Sequence, residues 1–163
     1  MSSIAAAARF LPPERVAQVH AVLEGVVAVL SIWLRSPMTW EEPFHRESHE
    51  PLHRLSAVFE LSGRAAGIVV LSLDRGPARF AAEQLTGERL SDLPDMIAPV
   101  ETLARMVAAE AAAPLRRLQT RIRSTEVVVG RSRCLAFPPA ATPLCIPFET
   151  SHGPLAVEFG LDD

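Results

Sequence analysis

The chain has 163 residues, of which 48% are hydrophobic and 21% are charged. This length supports one sizeable hydrophobic core and is too short for two ordinary domains, so we predict a single domain over residues 1–163. The net charge of −3 removes the electrostatic basis for non-specific nucleic-acid binding. All sixteen cationic residues are arginine, and the sequence contains no lysine, asparagine or tyrosine.

Targeting signals and cysteine motifs are both missing from the sequence. The first sixteen residues lack the basic start and apolar core of a signal peptide, and no run of about 18 uncharged apolar residues occurs elsewhere. We therefore expect a cytoplasmic protein without membrane contact. Cys134 and Cys145 lie in apolar surroundings without CxxC spacing, which predicts two buried thiols and neither a zinc site nor a redox motif.

The first predicted element is a long amphipathic helix that follows two prolines at positions 12 and 13. Apolar residues recur at spacings of three and four from position 16 to position 34, so one wide stripe must face a core or a partner. We predict that residues 1–12 are a poorly ordered extension, that residues 38–44 form a first strand, and that residues 45–51 form a polar loop.

A β-hairpin is predicted over residues 55–73, LSAVFELSGRAAGIVVLSL. Two runs rich in β-branched and aromatic residues flank a turn that contains Gly63 and Gly67. Glycine can take the positive φ that a tight reversal demands. We expect this hairpin to be central to the sheet, with Gly63 in its turn.

Two helices are predicted after the hairpin. The first covers residues 78–85 and closes at Thr86-Gly87. The second begins near Asp95 and runs toward Leu118, with a break expected at Pro99 and a kink or end at Pro114.

The C-terminal part of the sequence alternates short apolar runs with glycine and proline turns. Strands are predicted at residues 127–129, 134–137, 144–148 and 155–159. Consecutive short strands of this kind form an antiparallel sheet. The predicted fold is α+β, an antiparallel β-sheet covered by a long N-terminal helix and two further helices.

This order of elements resembles the CheX-like domain of the CheC/CheX chemotaxis phosphatase family. The resemblance is strongest in SAVFELSGRAAGIVVLSLDRGPA at 56–78, in the Asp95-Met96 pair, and in VVVGRSRCLAFP at 127–138. It covers nearly the whole chain and implies bacterial signal transduction with a CheY-like receiver domain as partner. It also implies a homodimer as a further expectation, and we expect no cofactor and no bound metal.

The catalytic helix of that family usually reads E-L-x-N-M-I-x-G, with Glu and Asn on one helix face. The amide orients the water that attacks an aspartyl phosphate, while the carboxylate grips the partner's active-site cation. Aligned on Met106, the chain has Thr102 in place of the Glu and Arg105 in place of the Asn. A shift by one residue brings in Glu101 but leaves Ala104 in place of the amide. Glu101, Thr102 and Arg105 are therefore the candidate positions for catalysis and partner binding, with the catalytic pair degenerate.

Glutamines carry the only side-chain amides of the sequence, at Gln18, Gln84 and Gln119. Gln84 could substitute for the missing asparagine in a rearranged site, although its spacing pairs it with no carboxylate on the same face. A Glu and an Arg four residues apart also commonly form a weak surface pair, so Glu101 and Arg105 are compatible with ordinary helix surface.

Two other clusters carry ligand-binding side chains. His45, His49 and His53 would line one face of a continuous helix and could bind zinc or nickel, but Pro51 argues against that helix and favours a solvated loop. A cluster of four arginines could bind an anionic partner or could complement the dipole at a helix C-terminus; its members are Arg116, Arg117, Arg121 and Arg123.

Three functions remain open from the sequence. In the first, the chain binds a phosphorylated or unphosphorylated receiver, or itself, without efficient hydrolysis. In the second, it is an active aspartyl-phosphate phosphatase with a rearranged site such as Glu101 with Gln84. In the third, it is a metal- or ligand-binding domain that reuses the fold. Fold similarity supports all three equally, and the missing amide favours the first over the second.

Overall fold

The computed structural model describes residues 3–162, which form four α-helices and a seven-stranded antiparallel sheet. The helices are α1 Ser3–Ala8, α2 Pro13–Trp33, α3 Arg75–Thr86 and α4 Ile97–Arg117. The strands are β1 Thr39–Trp40, β2 Phe44–His45, β3 Leu55–Gly63, β4 Gly67–Leu73, β5 Thr120–Val129, β6 Leu144–Thr150 and β7 Gly153–Leu161. The order across the sheet is β1-β6-β7-β4-β3-β5, and β2 also pairs with β6. The predicted α+β class is confirmed.

The predicted hairpin is formed by β3 and β4 in the middle of the sheet. Leu55 pairs with Leu73 and Leu61 with Gly67, while Gly63 has φ 100°. A Cβ atom on Gly63 would lie 2.4 Å from the backbone oxygen of Gln119. Glycine is therefore required there both by the backbone conformation and by the close approach of the neighbouring chain.

The sheet has two chemically different faces because strand side chains alternate. Ala57 and Phe59 of β3 point to the main hydrophobic core, which α2, α3 and α4 complete; we call this the helix face. Ser56 and Val58 point to the opposite side, called here the far face.

The two long helices, α2 and α4, cross at Gly25. A Cβ atom on Gly25 would lie 3.2 Å from the Cβ of Ala111. By length and composition α2 could cross a membrane, but half of that apolar stretch is buried inside the fold, including Val22 and Leu30. Helix α2 is therefore a core helix that packs against α4. The side of α4 that faces neither α2 nor the sheet is turned outward.

Both prolines of α4 lie inside the helix. Pro99 occupies the first turn, where a backbone N–H would have no helical partner, so the predicted break is absent. The helix continues through Pro114 and ends at Arg117.

An irregular segment, residues 131–143, covers part of the far face. Leu135 and Phe137 are buried there, and the Leu135 N–H donates to the backbone oxygen of His49 over 2.8 Å. The strand predicted at 134–137 is therefore wrong, because its side chains pack on the sheet while its backbone bonds to a loop. Cys134 is exposed, so the buried thiol is confirmed only for Cys145.

The boundaries of several elements also differ from the sequence expectation. Met1 and Ser2 of the predicted extension lie outside the described residues, but residues 3–8 form α1 and Ala7 is fully buried. The strand predicted at 38–44 is two short strands, because Pro43 has no N–H to donate between them. β5 begins at Thr120 and is longer than predicted, because this strand pairs along the whole length of β3.

Candidate functional site

The candidate positions lie on the first half of α4, on the side turned away from the core. Val100 and Leu103 are buried on the inner side of the helix. Glu101 and Thr102 are half-buried, and Arg105 is exposed. Because residues three and four apart share a helix face, these three side chains form one group, the α4 cluster of Glu101, Thr102 and Arg105.

Arg105 is hydrogen-bonded to Thr102 and not to Glu101. Its Nη2 donates to Thr102 Oγ1 over 3.3 Å, and the Thr102 hydroxyl donates to the backbone oxygen of Ala98 over 3.2 Å. Within residues 3–162, neither Glu101 nor Arg105 has an ion-pair partner. The weak surface pair therefore does not form, and the Glu101 carboxylate and most Arg105 N–H groups are free to meet a partner.

None of the three glutamines lies on α4. Gln18 is buried on α2, Gln84 is exposed on α3, and Gln119 is exposed just beyond the end of α4. In the α4 cluster, a donor-only guanidinium occupies the position of the expected amide. The cluster thus offers a cation for a phosphoryl or carboxylate group and no amide for orienting a water molecule.

The histidines of the 45–53 segment have separate contacts. His45 Nδ1 lies 3.3 Å from the Thr142 backbone oxygen, and His49 Nε2 lies 3.0 Å from that of Ala141. Among the described residues, no three His, Cys, Asp or Glu side chains are grouped so as to hold a metal ion. The zinc or nickel hypothesis has no support in this arrangement, because the segment forms no helix that would align the imidazoles.

His53 lies against the far face, where its backbone N–H donates to Ser72 Oγ over 2.8 Å. Burial lowers the pKa of its imidazole. The charge of Asp74 opposes this shift, and the charges of Arg131 and Arg46 add to it. The place of His53 in the fold therefore disfavours the charged form of its imidazole.

The far face also contains an ion pair that the sequence analysis missed. Glu158 is the only fully buried acidic side chain of residues 3–162, and Arg46 Nε donates to its Oε2 over 2.8 Å. Burial and the charge of Glu158 raise the pKa of the Cys145 thiol to about 12. The only signal in the sequence is a lone Glu within the apolar strand PLAVEFGL.

The four arginines of the predicted basic cluster do not share one environment, and Arg117 is exposed in the last turn of α4. Arg123 forms an ion pair with Glu60, with Nη2 and Oε1 2.9 Å apart. Arg116 and Arg121 instead line an open concavity beside Gly63. These arginines lie at the opposite end of α4 from the α4 cluster.

No family model matches the sequence, and no curated protein matches it, but solved structures share its fold. The chemotaxis protein CheX from Desulfovibrio desulfuricans superposes with a TM-score of 0.74 at 20% identity, covering 89% of this chain and 99% of that one. A CheC-like superfamily protein from Shewanella sp. PV-4 gives 0.77 at 14% identity, covering 94% and 100%. The CheX-CheY-BeF3-Mg complex from Borrelia burgdorferi contains a chain that gives 0.69 at 16% identity, covering 89% and 97%. The chain therefore has the fold of CheX and CheC-like chemotaxis proteins.

Proposed function

We propose that this protein acts in bacterial signal transduction by binding a CheY-like receiver domain through the α4 cluster, without efficient hydrolysis of the receiver's aspartyl phosphate. The shared fold supports this proposal, because one structure with this fold is a CheX-CheY complex. Receiver domains work in the cytoplasm, so a cytoplasmic location is part of the proposal.

The observation that carries the proposal is the exposed guanidinium of Arg105. Within residues 3–162 its one side-chain hydrogen bond is to Thr102, which leaves N–H groups for a two-pronged contact with phosphoryl or carboxylate oxygens. Arginine only donates hydrogen bonds and does not deprotonate in proteins, so it cannot accept a proton from an attacking water. The α4 cluster is suited to grip a phosphoryl group without activating water against it.

The two alternatives have less support. A rearranged phosphatase needs an amide beside Glu101, and Gln84 is exposed on a different helix. A metal or ligand site in the 45–53 segment needs converging imidazoles, whereas His45 and His49 bond to different backbone oxygens. An assay of aspartyl-phosphate hydrolysis would distinguish an active phosphatase from a protein that only binds the receiver.

A binding titration tests the proposal. The chain is titrated with CheY-like receivers of its source organism, both unmodified and activated with beryllofluoride and Mg²⁺ as a phosphoryl analogue. We expect tighter binding to the activated form. Arg105→Ala should weaken that binding about 10- to 100-fold, because a hydrogen bond to a charged group contributes about 1.5–3 kcal/mol.

The matched control is Arg133→Ala. Arg133 is an exposed arginine of the segment that covers the far face, and it forms an ion pair with Glu126. This variant should leave the affinity unchanged. Equal affinity for the two receiver forms, or an Arg105→Ala variant that binds like the unmodified chain, would overturn the proposal.

A further inference from the structure

We propose that a second, separate site of this protein binds the phosphate group of a small phosphomonoester. The site is the open concavity between the end of α4 and the β3–β4 turn, which we call the arginine concavity. It is lined by Ser62, Gly63, Arg116, Gln119, Thr120 and Arg121. Arg116 follows Arg105 by about three helical turns, or roughly 16 Å along the axis, so this site is distinct from the α4 cluster.

The backbone brings residues of three elements together at this concavity. In the sheet register Ser62 pairs with Arg121. The end of α4 is held against the same turn, because the Arg64 N–H donates to the Gln119 backbone oxygen over 2.9 Å. Gly63 contributes backbone and no side chain to the lining, and a Cβ atom there would lie 2.4 Å from that same oxygen. The backbone positions of Arg116 and Arg121 are therefore set by the helix end and the sheet register.

The arginine concavity carries uncompensated positive charge on a chain whose net charge is −3. Arg116 and Arg121 are exposed, and neither takes part in an ion pair within the described residues. Glu60, the acidic residue of the neighbouring part of β3, is already held by Arg123 over 2.9 Å. No carboxylate lines the concavity, so its potential attracts anions.

The helix dipole accounts for only one of the two arginines. Arg116 lies in the last turn of α4, where the helix carbonyl groups stabilise a cation. Arg121 lies on β5, beyond the helix, so the dipole of α4 does not account for its place in the lining of the concavity. An anionic ligand explains better than helix capping why both arginines line this concavity.

Two neutral side chains complete the set of donors. In residues 3–162 the side chains of Ser62 and Gln119 form no hydrogen bond with the protein, whereas the Thr120 hydroxyl accepts from the Ala65 N–H and donates to the Leu118 oxygen. Gln119 has φ 56°, a left-handed conformation for which helix ends usually use Gly or Asn. Glutamine at this position is less favourable than glycine for the left-handed backbone, but its side chain adds a carboxamide to the lining of the concavity.

This donor set fits a phosphomonoester better than a carboxylate. A phosphomonoester has three terminal oxygens, which can accept from two guanidinium forks and from a hydroxyl or amide group together. A carboxylate has two oxygens and is satisfied by a single fork. The structure therefore assigns the phosphate group, in its dianionic form, as the chemistry that the arginine concavity recognises.

An NMR titration of the full chain with phenyl phosphate and with inorganic phosphate tests this proposal. We expect saturable shifts confined to residues 62–64 and 116–121, weakened by added salt. Arg121→Ala should raise the dissociation constant roughly tenfold or more. Gln119→Gly should lower the affinity while keeping or raising the melting temperature, because glycine relieves the left-handed backbone.

The matched control is Arg123→Ala, which removes a nearby arginine that pairs with Glu60 and does not line the concavity. It should bind phenyl phosphate like the unmodified chain. The proposal is overturned if no saturable shift occurs, if sodium chloride at equal ionic strength reproduces the shifts, or if Arg121→Ala has no effect. Binding only to phosphatidic acid vesicles, and not to free phenyl phosphate, also contradicts it. No receiver is present, so the result is independent of the proposed receiver binding.

Discussion

Arg46 and Glu158, 112 residues apart in the sequence, form an ion pair on the far face of the sheet. Arg46 Nε donates to Glu158 Oε2 over 2.8 Å and Nη2 donates to Oε1 over 3.2 Å. Nη2 also donates to the backbone oxygen of Glu50. The Glu158 side chain is 0% exposed and that of Arg46 is 15% exposed. One guanidinium thus fastens the connection between β2 and β3 to the middle of β7.

We predict that Arg46→Met lowers the free energy of unfolding by about 3–5 kcal/mol, because it leaves the Glu158 charge buried and unpaired. Replacing both partners, Arg46→Met with Glu158→Met, should recover most of the loss, since no buried charge remains. Urea unfolding measures both values. Arg133→Met, which breaks an exposed pair with Glu126, is the control and should cost less than about 1 kcal/mol. Equal costs for the two single variants would contradict the assigned role of the buried pair.

The two cysteines should differ sharply in reactivity. Burial and the Glu158 charge raise the pKa of Cys145 to about 12, whereas Cys134 is exposed. The thiolate is the reactive form, so at pH 8 we expect one fast thiol per folded chain with a disulfide reagent and a second only after unfolding. Cys134→Ser should abolish the fast phase, and Cys145→Ser should preserve it. Two equally fast thiols in the folded chain would show that Cys145 is accessible.

His53 should make stability fall as the solution is acidified. Its folded-state pKa lies below the ordinary value, so between the two pKa values the unfolded chain binds a proton that the folded chain does not. Stability attributable to His53 is therefore fully present above the unfolded pKa of about 6.5 and is lost as the pH falls toward the folded pKa. His53→Gln should flatten the pH dependence of the unfolding free energy between pH 7 and pH 5. If the unfolding free energy depends on pH equally in the unmodified chain and in His53→Gln, His53 is not the cause of that dependence.

Gly63 should tolerate a side chain less well than Gly130, although both have positive φ. A Cβ atom on Gly63 would meet the Gln119 oxygen at 2.4 Å, whereas one on Gly130 meets nothing within 4 Å. Gly130→Ala should cost about 1–2 kcal/mol for the backbone conformation alone, and Gly63→Ala should cost more, because the end of α4 must also move. Urea unfolding gives the loss of stability in each variant, and the difference between the two losses is the cost of the steric clash at Gly63. A smaller loss for Gly63→Ala would contradict the close approach.

The sequence predicted those elements whose signal is local. The hairpin of β3 and β4 was predicted from the β-rich runs around Gly63. Helix α2 was predicted from apolar residues spaced three and four apart, which form a stripe that packs on a core. The strand expected at 134–137 failed because burial of Leu135 and Phe137 produces the same apolar pattern whether the backbone pairs with a strand or with a loop. The start of β5 was missed because polar residues such as Arg121 lie on an exposed edge, where pairing with β3 outweighs their low apolar content.

The site is less accessible to sequence reasoning than the fold. Residue spacing placed Glu101, Thr102 and Arg105 on one helix face, but it also predicted a Glu–Arg contact that Thr102 replaces. Contacts between distant segments leave no periodic signal. Arg46 meets Glu158 only because the sheet brings their two segments together.

The lifetime of an aspartyl phosphate on a CheY-like receiver, measured with and without this protein, tests the central claim most directly. If Arg105 takes the place of the water-orienting amide, as we propose, the lifetime should be at least as long with the protein as without it. The variant Thr102→Glu with Arg105→Asn restores the catalytic pair and should shorten the lifetime. Faster loss of the phosphoryl group with the unmodified chain, at concentrations well below that of the receiver, would contradict the claim that this protein binds without hydrolysing.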